Sequence, residues 1–177
     1  MQDVRDSLII TPPATPHPEI GRFLWMMDDV RRITKEVVTG ISQAALDWSA
    51  SPETNTIGTL LYHIALVEID WLYLDALQHE LPDDMVALFP YDSRDVNRHL
   101  TVVNDVSLAE HLARLDTVRA RFHEVYATLS LDDFRRPRSL PDYDATPEWI
   151  AYHLIEHEAG HRGEIATIRT LAERALG

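Results

Sequence analysis

The sequence of 177 residues contains no cysteine. Disulfide bonds, a cysteine nucleophile and thiolate metal ligands are therefore excluded. Any bound metal must be held by imidazole and carboxylate groups, and any thiol used in a reaction must come from another molecule.

Positive charge is scarce as well, since the chain has 16 Lys and Arg residues but 29 Asp and Glu residues, which gives a formal charge of −13. A phosphate backbone would repel such a chain, so we expect no nucleic-acid partner. No apolar run approaches the roughly 18 residues of a membrane helix, and the N-terminus lacks the apolar region of a signal peptide. We therefore expect a cytoplasmic protein without a membrane partner.

Only six glycines are present, the ten prolines lie mainly outside the periodic segments, and no strand-like alternation of useful length occurs. Apolar residues recur at three- and four-residue steps, which predicts four amphipathic helices near residues 18–38, 55–79, 107–129 and 146–175. The pattern predicts an all-α, single-domain four-helix bundle over residues 1–177, with 1–17 as an N-terminal extension. The intervening residues 81–106 lack a clear period and predict a long crossover connection.

The fourth predicted helix carries histidines four residues apart, His153, His157 and His161, in the stretch HLIEHEAGHRGE. At 3.6 residues per turn these side chains share one face, which is apolar at both of its ends. That face should be buried, and burying imidazoles without partners costs a few kcal/mol each. The pattern therefore predicts a partner for them.

The second predicted helix repeats this arrangement, because His63 interrupts an apolar inner face. Bundles build metal sites from side chains on facing helices. The simplest site combines His63 with two adjacent histidines of the fourth helix, and three imidazoles with an open position are typical of a catalytic metal. Zinc, nickel and iron all suit imidazole. The alternative is a purely structural bundle with hydrogen-bonded core histidines. We expect the other helical or loop histidines at the surface: His79, His99, His111 and His123.

The segment from His157 to His161 also matches the HExxH pattern of zinc proteases. We reject that interpretation because no histidine follows His161 as a third ligand. The only later carboxylates, Glu164 and Glu173, lie on the same helix.

Two segments resemble the DinB-like superfamily, also described as DinB/YfiT-like metalloenzymes: WSASPETNTIGTLLYHIALVEIDWL (48–72) and TPEWIAYHLIEHEAGHRGEI (146–165). The residues that carry the resemblance are His63, Glu68, Trp71, His157, His161, Arg162 and Gly163. The resemblance implies an antiparallel-type four-helix bundle with a long crossover. It also implies a divalent metal on His63, His157 and His161, with His153 supporting the ligands or lining the pocket.

Members of this superfamily include enzymes similar to mycothiol-dependent maleylpyruvate isomerase and to bacillithiol S-transferases. The resemblance therefore implies a metal-dependent S-transferase or isomerase that acts on a small molecule, with a low-molecular-weight thiol as cosubstrate. A non-catalytic metal or small-ligand binding protein of the same fold is the alternative. A homodimer is compatible with such a bundle.

Four further polar residues receive expected roles. Glu68 lies about 140° around the helix from His63, and Arg162 is also rotated off the ligand face, so we predict a Glu68–Arg162 pair that fixes the helix register. Asp70 lies about 10 Å along the axis from His63, and we expect it to orient substrate or water. Many relatives carry Gln where this chain has Glu164. Glu164 is a candidate fourth ligand, general base or acceptor of an imidazole N–H, and we rank the acceptor role first.

Overall fold

The computed structural model describes residues 9–177, so residues 1–8 of the predicted N-terminal extension lie outside the described residues. The helices are α1 (Pro18–Val38), α2 (Gln43–Leu46), α3 (Ile57–Asp70), α4 (Asp83–Val86), α5 (Leu108–Tyr126), α6 (Leu131–Arg135) and α7 (Pro147–Leu176). A π-helical segment, Trp71–Leu77, continues α3, and a short antiparallel hairpin joins β1 (Arg138–Ser139) to β2 (Asp144–Ala145). The predicted four-helix bundle is confirmed, with α1, α3, α5 and α7 as its long helices.

Helix starts follow the capping signals in the sequence. The Ser107 hydroxyl accepts the Glu110 N–H and the Glu110 carboxylate accepts the Ser107 N–H, so a complete capping box precedes α5. Thr146 caps α7, whose first residue is Pro147. Helix α3 starts at Ile57 rather than at the predicted residue 55, because the Thr56 hydroxyl caps it there.

Helices α1 and α3 lie diagonally across the bundle, since each packs against α5 and α7. Two contacts show that α1 and α7 run parallel: Arg31 pairs with Glu158, and further along both helices Arg169 donates to the Val37 carbonyl. The expected antiparallel-type bundle is thus only partly realised.

The other parallel pair explains the long crossover. Arg114 of α5 lies over the Tyr62 ring of α3. Further along both helices, Arg121 donates to the hydroxyl of Tyr73, in the π-helical segment that continues α3. Because α3 and α5 run in the same direction, the chain must return along the whole bundle between them. Residues 78–107 make this return and include the short helix α4.

Helix α3 is the core helix of the bundle, since 12 of its 14 residues are buried. The sequence pattern predicted one buried face, but the crossover covers the outer face as well: Phe89 and Tyr91 pack on the Tyr62 ring. Within residues 9–177, the Ile57–Leu77 stretch alone is long and apolar enough to cross a membrane, and 78% of its most apolar window is buried inside the fold. A core helix explains this composition.

The hairpin between α6 and α7 lies over the π-helical segment, in a region for which the sequence predicted only a loop. Arg138 donates to the Ala76 carbonyl at 2.9 Å, and Gln78 donates to the Ser139 carbonyl at 3.0 Å. These bonds anchor the hairpin and place Tyr143 against Trp71, with ring centroids 5.8 Å apart.

Candidate metal centre

Three histidines on α3 and α7 come together as the sequence predicted. The Nε2 atoms of His63 and His157 are 3.2 Å apart, and the His161 ring lies 5.1 Å from the His63 ring and 4.6 Å from the His157 ring. One ring nitrogen from each of the three lies within 4.8 Å of the others. His63 is buried, and the other two are partly exposed.

The geometry and the charge state of these imidazoles fit a divalent metal. Ligand nitrogens about 2.0–2.1 Å from a tetrahedral ion lie about 3.3 Å from one another, close to the 3.2 Å between His63 and His157. Burial lowers the pKa of His63 to about 4 and the pKa of His157 to about 3, and the neighbouring His161 adds to both effects. Both rings are therefore neutral at pH 7, which is the form that binds metal.

Glu164 supports His161 from the side. One carboxylate oxygen lies 3.1 Å from Nδ1 of His161, and the other accepts a hydrogen bond from Asn55 at 3.1 Å. Because Nδ1 is engaged, Nε2 of His161 is the nitrogen free to bind a metal. This contact is the one that the sequence analysis ranked first for Glu164.

His153 stands one turn away from the trio and contacts aromatic rings instead. It stacks on Trp149 with centroids 5.0 Å apart and planes 5° apart, and it lies 4.7 Å from the Trp71 ring. Its ring centroid is 6.0 Å from that of His157. His153 therefore lies between the histidine trio and a cavity lined by Trp71, Tyr143 and Trp149, the aromatic cavity.

Asp70 lines a separate cavity of about 240 Å³ beneath the crossover, together with Phe89 and Tyr91. Burial raises the pKa of Asp70 to about 6, and the nearby Asp75 adds to the shift. Its role in orienting substrate or water stays a prediction.

The predicted Glu68–Arg162 pair is wrong. The Glu68 carboxylate accepts hydrogen bonds from Arg31 at 2.7 Å and from Arg119 at 2.7 and 3.0 Å. Arg162 forms no ion pair with any residue in the range 9–177. The reason is rotational: the Glu68 face of α3 points to the bundle centre, where α1 and α5 supply arginines.

Glu158 completes a central ion network. Its carboxylate accepts from Arg31 at 2.7 and 3.1 Å and from Arg119 at 3.1 Å. Each long helix supplies one member, Arg31, Glu68, Arg119 and Glu158, and all four are buried. Burial opposes ionisation of Glu68, but Arg119 and Arg31 outweigh this effect and hold its pKa below the usual range. Because both arginines engage Glu158, it is not available as a protease-like base.

Sequence reasoning missed Arg31, Arg119 and Glu158 as core residues. The available signal was a charge within an apolar stripe: Arg31 lies four residues after the buried Met27, and Arg119 lies four residues after the buried Leu115. Such positions face inward at helical spacing and require partners.

The expectation that His111 is a surface residue is also wrong, because only 1% of it is exposed. It lies four residues before Leu115 on the inner stripe of α5, close to Gly58. Burial lowers its pKa to about 4, and the nearby Arg114 contributes. His111 is therefore neutral within the core at pH 7.

The comparisons with known proteins agree with this architecture. YkkA, an uncharacterized protein of Bacillus subtilis (strain 168), is 25% identical over 134 residues, which cover 75% of this chain and 76% of YkkA. A conserved protein from Enterococcus faecalis has a similar solved structure, with a TM-score of 0.67, 15% identity, and coverage of 85% of this chain and 94% of that chain.

A second solved structure is YfiT from Bacillus subtilis, described as a probable metal-dependent hydrolase with an unusual four-helix bundle topology. Its TM-score is 0.55 at 16% identity, covering 94% of this chain and 93% of YfiT. The family model of the DinB superfamily matches residues 26–165, well over half of the sequence. The chain therefore belongs to the DinB superfamily.

Proposed function

We propose that this protein is a divalent-metal-dependent enzyme that activates a low-molecular-weight thiol for S-transfer to, or isomerisation of, a small molecule. His63, His157 and His161 would be the metal ligands. The observation that carries the proposal is the convergence of three imidazole nitrogens, from two facing helices, within 4.8 Å of one another.

Three protein ligands leave one position of a tetrahedral site for an exogenous group. A divalent ion held by the three histidines, whether zinc, nickel or iron, would lower the pKa of a thiol or water bound at the open position. It would thereby supply a nucleophile at neutral pH. The chain contributes no thiol of its own, because it lacks cysteine. A thiol nucleophile would therefore be a cosubstrate such as mycothiol or bacillithiol.

The surrounding residues would orient the ligands and the substrate. Glu164 contacts Nδ1 of His161, which leaves Nε2 of that ring to bind the metal beside His63 and His157. The partly exposed His157 and His161 leave the trio accessible from one side. In S-transfer the thiol sulfur would bond to an electrophilic carbon, the leaving group would depart with its electron pair, and the thiol proton would pass to solvent.

A second candidate is a hydrolase in which water takes the place of the thiol. The fold similarity to YfiT favours it, since that protein is described as a probable metal-dependent hydrolase. A metal-binding protein without turnover is the remaining alternative.

The first test is metal content. Protein purified without a histidine tag should bind about one equivalent of a divalent metal, and His63→Ala should bind less than about 0.1 equivalent. His99→Ala is the matched control, because the His99 side chain is 69% exposed and lies outside the trio. Less than about 0.1 equivalent in the unaltered protein would refute the proposal.

The second test is turnover of the metal-loaded protein. Mycothiol, bacillithiol and glutathione are each supplied with a panel of small electrophiles, and parallel reactions contain esters and amides without thiol. Turnover that requires a thiol and is lost in His63→Ala supports the first function. Turnover without thiol supports the hydrolase, and bound metal without any turnover supports the binding protein.

A further inference from the structure

We propose that the cavity beside His153 binds the small-molecule substrate through a neutral aromatic ring that carries an N–H or O–H group. This inference rests on the proposed function, because it assigns a substrate class to the same site. The aromatic cavity has a volume of about 490 Å³ and is lined by Trp71, Tyr143, Asp144, Ala145, Thr146 and Trp149.

The walls of the aromatic cavity favour a flat apolar group. The Trp71 ring lies 5.8 Å from Tyr143 with planes 27° apart, and 5.6 Å from Trp149 with planes 44° apart. Rings at different angles offer both faces and edges to a ligand ring, and aromatic pairs gain from stacked and edge-to-face contacts. The volume lies within the range of small-molecule sites.

These walls are held in position before any ligand arrives. The Tyr143 hydroxyl donates to the Asp75 carboxylate at 2.7 Å, which fixes the ring on the hairpin. The hairpin is itself anchored to the π-helical segment through Arg138 and Gln78. That segment begins at Trp71, and π-helical turns occur frequently at functional sites. A preformed cavity loses little affinity to ordering.

The polar groups of the aromatic cavity select the substituent. Asp144 is one of the lining residues, and its carboxylate can accept a hydrogen bond from an N–H or O–H group and would repel an anion. The Thr146 oxygen accepts the Trp149 backbone N–H, so its own proton remains available for a ligand oxygen. A neutral ring with a donor group satisfies both.

The aromatic cavity adjoins the proposed metal ligands through one imidazole. His153 stacks on Trp149 on one side, and its ring centroid lies 6.0 Å from that of His157 on the other. Trp149 is 45% exposed, so a ligand can enter from solvent along this wall. One imidazole ring therefore separates the cavity from the histidine trio.

Fluorine NMR of a neutral bicyclic probe, (6-fluoronaphthalen-2-yl)methanol, tests this proposal on metal-free protein in the presence of a chelator. Trp149→Ala should weaken binding at least about tenfold. Tyr152→Ala should leave it unchanged, because Tyr152 is a similarly exposed aromatic residue of α7 (50% against 45%) that does not line the cavity. The corresponding carboxylate probe should bind more weakly than the alcohol, because Asp144 would repel it.

Three results would overturn the proposal: no binding of the alcohol, equal affinity in Trp149→Ala, or tighter binding of the carboxylate probe. Circular dichroism serves to check that Trp149→Ala is folded, and Trp71→Leu provides a second wall variant with the same expected loss.

A final arm tests the link to the histidines and separates the two proposals. Paramagnetic Ni²⁺ bound to the protein should speed fluorine relaxation of the seated alcohol, and His63→Ala should abolish this effect. Unchanged relaxation with Ni²⁺ demonstrably bound would refute the link between cavity and site. Failure of Ni²⁺ to bind would count against the metal proposal, which the metal content of the purified protein decides, while the chelator experiments would still decide the cavity.

Discussion

Replacing Arg31 with methionine removes the α1 member of the central ion network but keeps an unbranched apolar chain in the core. Both Glu68 and Glu158 lose a donor, and the Leu115 carbonyl loses the hydrogen bond that Arg31 makes at 2.7 Å. Arg119 still contacts both carboxylates. The variant therefore buries two negative charges against one positive charge.

Breaking a buried ion pair from one side costs about 3–5 kcal/mol. Because Arg119 remains, we expect a loss near the lower end, about 3 kcal/mol, from a total stability on the order of 5–15 kcal/mol. Each kcal/mol shifts the melting temperature of a chain of this size by about 2–4 °C, so Arg31→Met should melt about 6–12 °C lower.

Urea unfolding and differential scanning calorimetry measure this loss, with Arg162→Met as the matched control. Arg162 is partly exposed and has no ion-pair partner within residues 9–177, so its replacement should cost less than about 0.5 kcal/mol. Equal losses in the two variants, or a larger loss for Arg162→Met, would refute the assignment of Arg31 to the core network.

A charge-balanced double variant measures the interaction between Arg31 and Glu158. Adding Glu158→Gln to Arg31→Met leaves Arg119 paired with Glu68 and removes the unpaired carboxylate. The double variant should be less destabilised than the sum of the two single variants. Strict additivity would show that the two side chains do not interact energetically.

Glu164→Ala should weaken metal binding by about 10–100-fold in competition with a chromophoric chelator, whereas Glu156→Ala, an exposed carboxylate of the same helix, should not; equal affinities would contradict the supporting role of Glu164. Asp70→Asn should stabilise the protein at pH 8 by about 1 kcal/mol in urea unfolding, because the folded-state pKa of about 6 exceeds the ordinary 3.8. The pKa difference alone corresponds to about 3 kcal/mol, and the partial exposure of Asp70 reduces this value. This gain should shrink as the pH falls from 6 to 4, where the native carboxyl is protonated, and a gain independent of pH would contradict the assigned cause. Gly58→Ala should cost about 1–3 kcal/mol, because the new Cβ would lie 3.0 Å from a crossover carbonyl oxygen. Gly160→Ala should stabilise the protein by up to about 1 kcal/mol, because its Cβ would meet nothing within 4 Å. The opposite order of stability in thermal unfolding would contradict both predictions.

Local rules predicted the starts of α5 and α7 and the inward-facing histidines. Ser107, Thr146 and Pro147 act through neighbours within three residues, so a single sequence contains all the information they need. The histidines form a periodic signal on two separate helices, and His157 and His161 share a face whatever the bundle topology. Only the choice among the histidines of α7 needed the family resemblance.

Nonlocal arrangements could not be predicted in the same way. Helical rotation showed that Glu68 points away from His63, but not which helix it would meet. Its actual partners, Arg31 and Arg119, depend on the diagonal placement of α1 and on the parallel course of α5. The hairpin that places Tyr143 beside Trp71 has two-residue strands, too short to leave a periodic pattern.

The histidine trio and the central ion network both depend on how α3 and α7 are aligned. His63 and Glu68 lie one and a half turns apart on α3, and His157 and Glu158 are adjacent on α7. A slip of one residue between these helices moves a side chain by about 1.5 Å, far beyond the roughly 0.2 Å tolerance of metal–ligand distances. Apolar side chains tolerate such slips far better than hydrogen-bonded guanidinium–carboxylate pairs, whose geometry is directional. Replacing buried ion pairs with well-packed apolar side chains is often neutral or stabilising, so stability alone does not account for four charges at the bundle centre. We infer that the network fixes the register that the histidine trio requires.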